Sequence, residues 1–273
     1  MSFQTEFVQQ VKSKPKLVLN CCKAKLWQGE KCKCPEKKMS GSLIAKNGFK
    51  AEKIFRQDQN IKESLEKYFK KTIKIIIPAP HGKKSDHIIV FIDDTFIKIQ
   101  QKKLERLGGR GDSFDRRHIQ NTFDSRWIRK YLTLLTLIRP TPKSTAMTSE
   151  QKKDFVSLCN RNRSDIEKYI QKTLIGANVE YANDYWCFMK TNRNLNTASM
   201  ELHIIKSSEL YKFMVNSIDP HISYRKNGTC LHLNKHISLQ RKGGGKSDNR
   251  PNEIQAKLKI TQNLLDKCIK ILN

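Results

Sequence analysis

The chain has 273 residues, enough for one large domain or for two or three small ones that share a surface. Its 53 lysines and arginines, against 26 aspartates and glutamates, give a formal net charge of +27. This excess runs along the whole chain, so we expect a polyanion as the partner. Charge alone does not rank a DNA enzyme against an RNA-associated protein or a basic surface protein.

The sequence disfavours both membrane insertion and secretion. No run of about 20 apolar residues is present, and the opening segment MSFQTEFVQQVKSKPK lacks the apolar region of a signal peptide. We therefore expect a soluble, cytoplasmic protein with no membrane partner. In that reducing compartment the 8 cysteines are expected as thiols or metal ligands.

Residues 1–41 are rich in Lys and Cys and are predicted to be an extension outside the main core. This segment holds enough thiols for one tetrahedral zinc site, at Cys21, Cys22, Cys32 and Cys34. Neither pair has the usual two intervening residues, so partly buried free thiols are the alternative. The other cysteines are predicted to be core residues: Cys159, Cys187, Cys230 and Cys268.

Apolar spacing after residue 42 predicts helices followed by strands. Apolar residues recur at helical spacing from Leu43 to Phe69, which indicates one or two amphipathic helices. Three strand-like runs follow at 72–77, 86–92 and 95–104, with a turn at Asp93-Asp94 between the last two.

The second half of the chain is predicted to mix helices and short strands. Helices are expected over 124–137 and from Thr148 onward, where Glu150 and Gln151 give a capping signal, and Pro140-Thr141-Pro142 separates the two. Residues 177–260 alternate strand candidates with turns, and 264–272 is predicted to be a short closing helix. Trp127 and Trp186 are predicted to be core residues.

Side chains on the second and third strand-like runs define a candidate site. Alternation along the third run places Gln100 and Lys102 opposite its apolar face, which favours this Gln-x-Lys pair over the one that begins at Gln101. Since neighbouring strands lie about 4.8 Å apart, the turn between the runs brings Asp86 beside both residues. Oxygen ligands suit a hard cation such as Mg²⁺, and a lysine suits the charge that develops when water attacks a phosphodiester.

Glu52, on the preceding helix, is predicted to add a second carboxylate that supports metal or water positioning. The alternative is that Asp86 caps a strand and that Lys102 is one of 53 basic residues on a solvated face. Spacing alone leaves both interpretations open.

Polar and basic residues near the end of the chain predict a DNA-reading surface. Gln240, Arg241 and Lys242 precede the flexible triplet Gly243-Gly244-Gly245, and Arg241 is the first candidate for a base contact because arginine reads guanine edges. The other candidates are Ser223 and Arg225, in a basic arm that turns at Asn227-Gly228, and Asn252, Gln255 and Lys257. Contact with phosphates alone is the alternative for each of them.

Segments in two regions of the chain resemble a known family of nucleases. Lys84-Ser85-Asp86 followed by Ile99-Gln100-Gln101-Lys102 resembles the active-site pattern of the PD-(D/E)xK nucleases, in the variant with Gln at the middle acidic position. The segment Asn47 to Lys53, and the later blocks Ile237 to Gly244 and Asn252 to Ile260, are similar to the small monomeric type II restriction endonucleases that recognise GCGC. The resemblance does not reach the cysteine-rich start.

The resemblance implies an Mg²⁺-dependent endonuclease that cuts double-stranded DNA at a short, GCGC-like palindrome, works as a monomer and has a cognate DNA methyltransferase in the same host. It implies that Asp86, Gln100 and Lys102 form the cutting site and that Asp86 and Gln100 hold the metal. The superfamily usually carries an acid where Gln100 stands, so one metal-binding charge is missing. The competing functions are a non-catalytic nucleic-acid-binding protein and a repair or recombination nuclease of the same superfamily.

Taken together, the predicted elements indicate an α+β fold, α/β/α-like, in which a mixed β-sheet core is flanked by helices and joined to a second strand-rich region. We assign residues 42–140 to the catalytic core and 141–273 to the DNA-recognition and C-terminal region.

Overall fold

The computed structural model describes residues 18–19, 25–26, 41–80, 84–104, 107, 112–137, 147–176, 182–191, 195, 199–225, 228–241 and 253–272. Contacts divide the chain into two compact units, residues 1–49 and 50–273. Among the described helices, none combines the length and the apolar character needed to cross a membrane.

In the first unit, the described residues form a short antiparallel ladder and the beginning of a helix. Strand β1 (Val18–Leu19) pairs with strand β2 (Lys25–Leu26). The candidate zinc ligands Cys21, Cys22, Cys32 and Cys34 lie outside the described residues, so zinc binding there stays a prediction.

Seven helices and eleven further strands fall within the described part of the chain. The helices are α1 (Gly41–Gln57), α2 (Gln59–Phe69), α3 (Arg126–Leu137), α4 (Ser149–Arg161), α5 (Arg163–Leu174), α6 (Ser207–Asn216) and α7 (Gln262–Leu265). The strands are β3 (Ile73–Pro78), β4 (His87–Phe91), β5 (Phe96–Leu104), β6 (Asp112–His118), β7 (Tyr185–Lys190), β8 (Glu201–Lys206), β9 (Ile218–Arg225), β10 (Gly228–Asn234), β11 (Ile237–Arg241), β12 (Glu253–Leu258) and β13 (Ile269–Leu272).

A six-stranded mixed sheet forms the centre of the second unit, in the order β13-β8-β7-β5-β4-β3. Its β5–β7 pairing is parallel, and the other four pairings are antiparallel. One face packs against α2 and the part of α1 from Lys50 onward, because both helices present apolar residues at helical spacing. This first core includes Phe55, Ile61, Leu65, Ile89, Ile99 and Cys187.

A second sheet of five antiparallel strands has the order β6-β12-β11-β10-β9. Its inner face shares a second core with the opposite face of the six-stranded sheet and with the helices between them. Members of this core include Trp186 and Phe188 from the first sheet, and Leu231, Leu239 and Ile254 from the second. The α+β fold with two sheets and flanking helices is thus confirmed.

Each sheet draws strands from both sides of residue 140. The six-stranded sheet combines β3, β4 and β5 with β7, β8 and β13, and the five-stranded sheet places β6 beside β12. The residue ranges assigned above to catalysis and to recognition therefore each contribute strands to both sheets.

Three local predictions are wrong. The segment 264–272 is a helix only as far as Leu265 and then forms β13, which pairs with β8. Helix α6 interrupts a region predicted as strands and turns. Trp127 is 49% exposed, under the guanidinium of Arg126, whereas Trp186 is fully buried as expected.

Acid sensitivity is expected from His236, which is buried in the second core beside Phe213 and donates from Nδ1 to the carbonyl of Lys259 at 3.2 Å. Burial lowers the pKa of His236 below its usual value. The unfolded chain therefore binds a proton more readily, so stability present above a pH of about 6.5 is lost as the pH falls below it. In urea unfolding between pH 7 and pH 5, His236→Gln should lose stability less steeply than the wild type.

The exposed His118 offers the matched control variant, His118→Gln, which should keep the wild-type slope. An unchanged slope in His236→Gln would contradict this assignment.

Candidate active site

The turn of the β4–β5 hairpin determines where the candidate residues lie, because it fixes how the two strands pair. Asp94 adopts a left-handed backbone with φ of 58°, a conformation that aspartate tolerates better than most residues. The Asp93 carboxylate accepts from the backbone N–H of Thr95 at 3.1 Å and from Lys71 at 2.7 Å. The turn fixes a register in which His87 lies opposite Ile99.

This register brings Asp86 beside Gln100. The backbone N–H of Asp86 donates to the carbonyl of Ile99 at 2.9 Å, which continues the ladder one residue beyond β4. One carboxylate oxygen, Oδ2, accepts from the side-chain amide of Gln100 and from the backbone N–H of Gln101, the latter at 2.9 Å. Because side chains alternate along β5, Lys102 follows Gln100 on the same face.

Gln101 lies on the opposite face, in the first core, and ties the strands to α1. The ring of His87 stacks on Phe55 at 4.5 Å, and its Nε2 lies 2.7 Å from Oε1 of Gln101. The amide of Gln101 in turn donates to the carbonyl of Ala51 at 3.4 Å. Burial lowers the pKa of His87 to about 4, so the ring is neutral near pH 7 and donates to Gln101.

This contact positions the next residue of α1, Glu52, near the site. Burial raises the pKa of Glu52, and the negative charge of Asp86 raises it further, while Arg56 and Lys102 lower it. The structure thus places Asp86 and Gln100 in contact, with Glu52 within electrostatic range of Asp86 and Lys102.

The donor set fits a hard divalent cation. Within the described residues, Oδ1 of Asp86 accepts no hydrogen bond, and the Gln100 amide leaves its own oxygen available while its nitrogen faces Asp86. Oxygen ligands of this kind are the ones that Mg²⁺ prefers. No cluster of three or more His, Cys, Asp or Glu side chains suited to a metal occurs in that part of the chain, so the metal here would rest on one or two carboxylates and an amide.

The outer face of the five-stranded sheet carries polar side chains in register across all five strands. One row, which we call the outer row, consists of Ser223, Gln240, Gln255 and Arg116, with the buried Cys230 between Ser223 and Gln240. Gln255 is paired with both Gln240 and Arg116 in the ladders. With a strand spacing of about 4.8 Å, the row spans roughly 19 Å.

A parallel second row contains His221, His232, Ser238, Lys257 and Ser113. The rings of His221 and His232 stack at 4.4 Å with an interplanar angle of 3°, and Ser223 Oγ lies 2.7 Å from Nε2 of His232. Hydrogen-bonding groups therefore line this face, whereas the inner face is mostly apolar.

The predicted DNA-reading residues divide into three groups. Ser223, Gln240, Gln255 and Lys257 belong to the two rows. Arg225 and Arg241 lie at the ends of β9 and β11, and only their backbone is described. Lys242 and Asn252 lie outside the described residues.

Sequence reasoning missed β6, and with it Arg116. A half-buried strand usually shows apolar residues at every second position. In β6, two of the inward positions are instead filled by Asp115 and Arg117, which pair with each other at 2.6 Å. The apolar alternation that would have revealed the strand is therefore absent.

No protein-family model and no curated protein matches this sequence. Among solved structures, restriction endonuclease MspI in complex with its cognate DNA is similar, with a TM-score of 0.46 and 11% sequence identity, over 80% of this chain and 80% of that chain.

Proposed function

We propose that the protein is an Mg²⁺-dependent endonuclease that hydrolyses phosphodiester bonds in double-stranded DNA. The observation that carries this proposal is the contact between Asp86 and Gln100, with Glu52 within electrostatic range of Asp86 and Lys102. If Asp86 had only a structural role, the hydrogen bonds that it accepts would be sufficient. The presence of a second carboxylate, Glu52, and of Lys102 nearby is instead typical of sites that hydrolyse phosphodiesters.

In this proposal Asp86 and the amide oxygen of Gln100 hold the metal. A bound Mg²⁺ supplies an acidified water and neutralises charge on the phosphate oxygens. Gln100 contributes no charge, so metal binding relies on the Asp86 carboxylate, with help from Glu52.

Lys102 and Glu52 complete the chemistry. The Lys102 ammonium stabilises the negative charge that develops on the phosphate as water attacks. The raised pKa of Glu52 brings this carboxylate nearer to neutral pH, which suits a group that orients the water and accepts its proton.

The finer proposal is a monomeric type II restriction endonuclease of the cytoplasm that reads a short, GCGC-like palindrome and is paired with a cognate DNA methyltransferase. The outer row supports sequence reading, because amide and guanidinium groups form bidentate contacts with base edges. The formal charge of +27 supports tight binding to the phosphate backbone.

A digest of plasmid DNA tests the proposal. The purified protein is incubated with Mg²⁺ or with EDTA, and Asp86→Asn serves as the control for contaminating nuclease. Discrete fragments in Mg²⁺ alone support a restriction enzyme, and a smear indicates a nonspecific or repair nuclease. Intact DNA bound by the protein would mean a binding protein without catalysis, and the proposal would be rejected. Sequencing the fragment ends compares the recognised site with GCGC.

Gln255→Ala is expected to weaken binding to the cleaved sequence by about 1–3 kcal/mol, because a bidentate base contact is worth that much discrimination. Binding to a scrambled duplex should change little. Fluorescence anisotropy without Mg²⁺ measures both affinities.

Gln262→Ala, on the exposed start of α7, is the matched control and should bind both duplexes as the wild type does. Equal weakening of cognate and scrambled DNA by Gln255→Ala would mean that this residue reads no base.

A further inference from the structure

A buried chain of charged side chains joins β6 of the five-stranded sheet to the segment just before β4, close to the candidate site. Lys84 donates through Nζ to the carbonyl of Phe114 at 2.9 Å and lies 3.7 Å from Oδ1 of Asp115. Asp115 also receives two hydrogen bonds from Arg117, at 2.6 and 3.0 Å. The Lys84, Asp115 and Arg117 side chains are 11%, 10% and 18% exposed. We call these three residues the ion chain.

Lys84 is fixed in position from several sides. Its ammonium lies over the rings of Phe114 and Trp186, at 5.2 and 5.8 Å from their centres. A lysine held this way moves with its partners, because it loses compensation for its buried charge as soon as it leaves them.

The ion chain connects the two features on which the proposed function depends. Lys84 precedes the candidate metal ligand Asp86 by two residues. In β6, Asp115 and Arg117 flank Arg116, and alternation along the strand directs Arg116 to the outer row, where it is paired with Gln255. The same strand therefore presents Arg116 to the outer face and Asp115, which Arg117 also holds, to Lys84.

We propose that Lys84 is a positioning residue that couples DNA seated on the outer row to the placement of Asp86. This inference rests on the proposed function and adds a mechanism for its control. DNA contact with Arg116 sets the position of β6, the Asp115 carboxylate moves with that strand, and Lys84 carries the adjustment to Ser85 and Asp86. Neither Lys84 nor Asp115 needs to touch the DNA.

A double-mutant cycle between Lys84→Met and Arg116→Ala tests the coupling. Single-turnover cleavage of a duplex with one cleaved site is measured with excess enzyme and Mg²⁺, and affinity is measured without Mg²⁺. Lys84→Met should slow cleavage roughly 10- to 100-fold, as losses of supporting residues behind metal ligands do, with affinity unchanged. Arg116→Ala should slow cleavage in the wild-type background and add little once Lys84 is lost.

Lys190→Met is the matched control. Lys190 also forms an ion pair, with Glu201 at 2.9 Å in the six-stranded sheet, but its side chain is 43% exposed. The variant should cleave as the wild type does. If Lys84→Met does not fold, Asp115→Asn removes the charge with little change in volume and enters the same cycle. It should slow cleavage and show the same lack of additivity.

The outcomes separate this inference from the proposed function. Multiplicative losses in the double mutant, or wild-type rates in Lys84→Met, would overturn the coupling while the nuclease assignment stands. Absence of cleavage by the wild-type protein would overturn both.

Discussion

Asp86→Asn is expected to abolish DNA cleavage while leaving the protein bound to DNA. The substitution keeps an oxygen that accepts from Gln100 and Gln101, so the hairpin register is preserved, but it removes the carboxylate charge on which metal binding chiefly relies. Lys102→Met should slow cleavage on the order of 10²–10³-fold, because one group that stabilises transition-state charge is lost. Single-turnover cleavage in Mg²⁺ measures both.

The two variants should also differ in the sign of their effect on binding without metal. Asp86→Asn removes a negative charge near the phosphates and should tighten binding, whereas Lys102→Met should weaken it and reduce the salt dependence by about one phosphate contact. The exposed ion pair Lys74–Asp94, at 2.8 Å, offers the controls Lys74→Met and Asp94→Asn. Cleavage at wild-type rates by Asp86→Asn or Lys102→Met would remove that residue from the proposed mechanism.

Trp186→Ala is expected to destabilise the protein by about 3–5 kcal/mol, the range for deletion of a buried aromatic side chain. Trp186 is fully buried, donates from its indole N–H to the carbonyl of Leu174 at 2.9 Å, and lies edge-on to Phe114 at 6.0 Å. Its truncation would leave both a cavity and an unpaired carbonyl. Urea unfolding gives the free energy of unfolding directly.

Trp127→Ala provides the comparison within the same chain. Trp127 is 49% exposed and loses correspondingly less buried area, so its truncation should destabilise the protein by no more than about half as much. Similar losses for both tryptophans would contradict the division of the molecule into the cores described above.

The strands that carry the candidate site were predictable from sequence because the residues that determine them are close together in the chain. β-branched residues mark β4 and β5, and Asp93-Asp94 supplies the turn between them. Once the turn is known, alternation alone separates Gln100 and Lys102 from Gln101. The observed strands differ from the predicted runs by one residue at most of their ends.

The second sheet was less predictable because strands that are far apart in the sequence pair with each other. Strand β6 has no apolar alternation, and its partner β12 lies near the other end of the sequence. Neighbouring elements also decide which structure a segment adopts. The sequence of β13 is equally compatible with a helix, and it forms a strand because it pairs with the edge of β8. The outer row emerges only after both sheets have been assembled.

The pairing of β6 with β12 has a consequence for a chain that is still being synthesised. The hairpins β3–β4 and β4–β5 join neighbouring segments and can close early, whereas β6 must wait for a strand translated much later. Until then, Asp115 and Arg117 have no fixed strand from which to hold Lys84. In the proposed nuclease, Lys84 would therefore gain its partner Asp115 only after most of the chain has been synthesised.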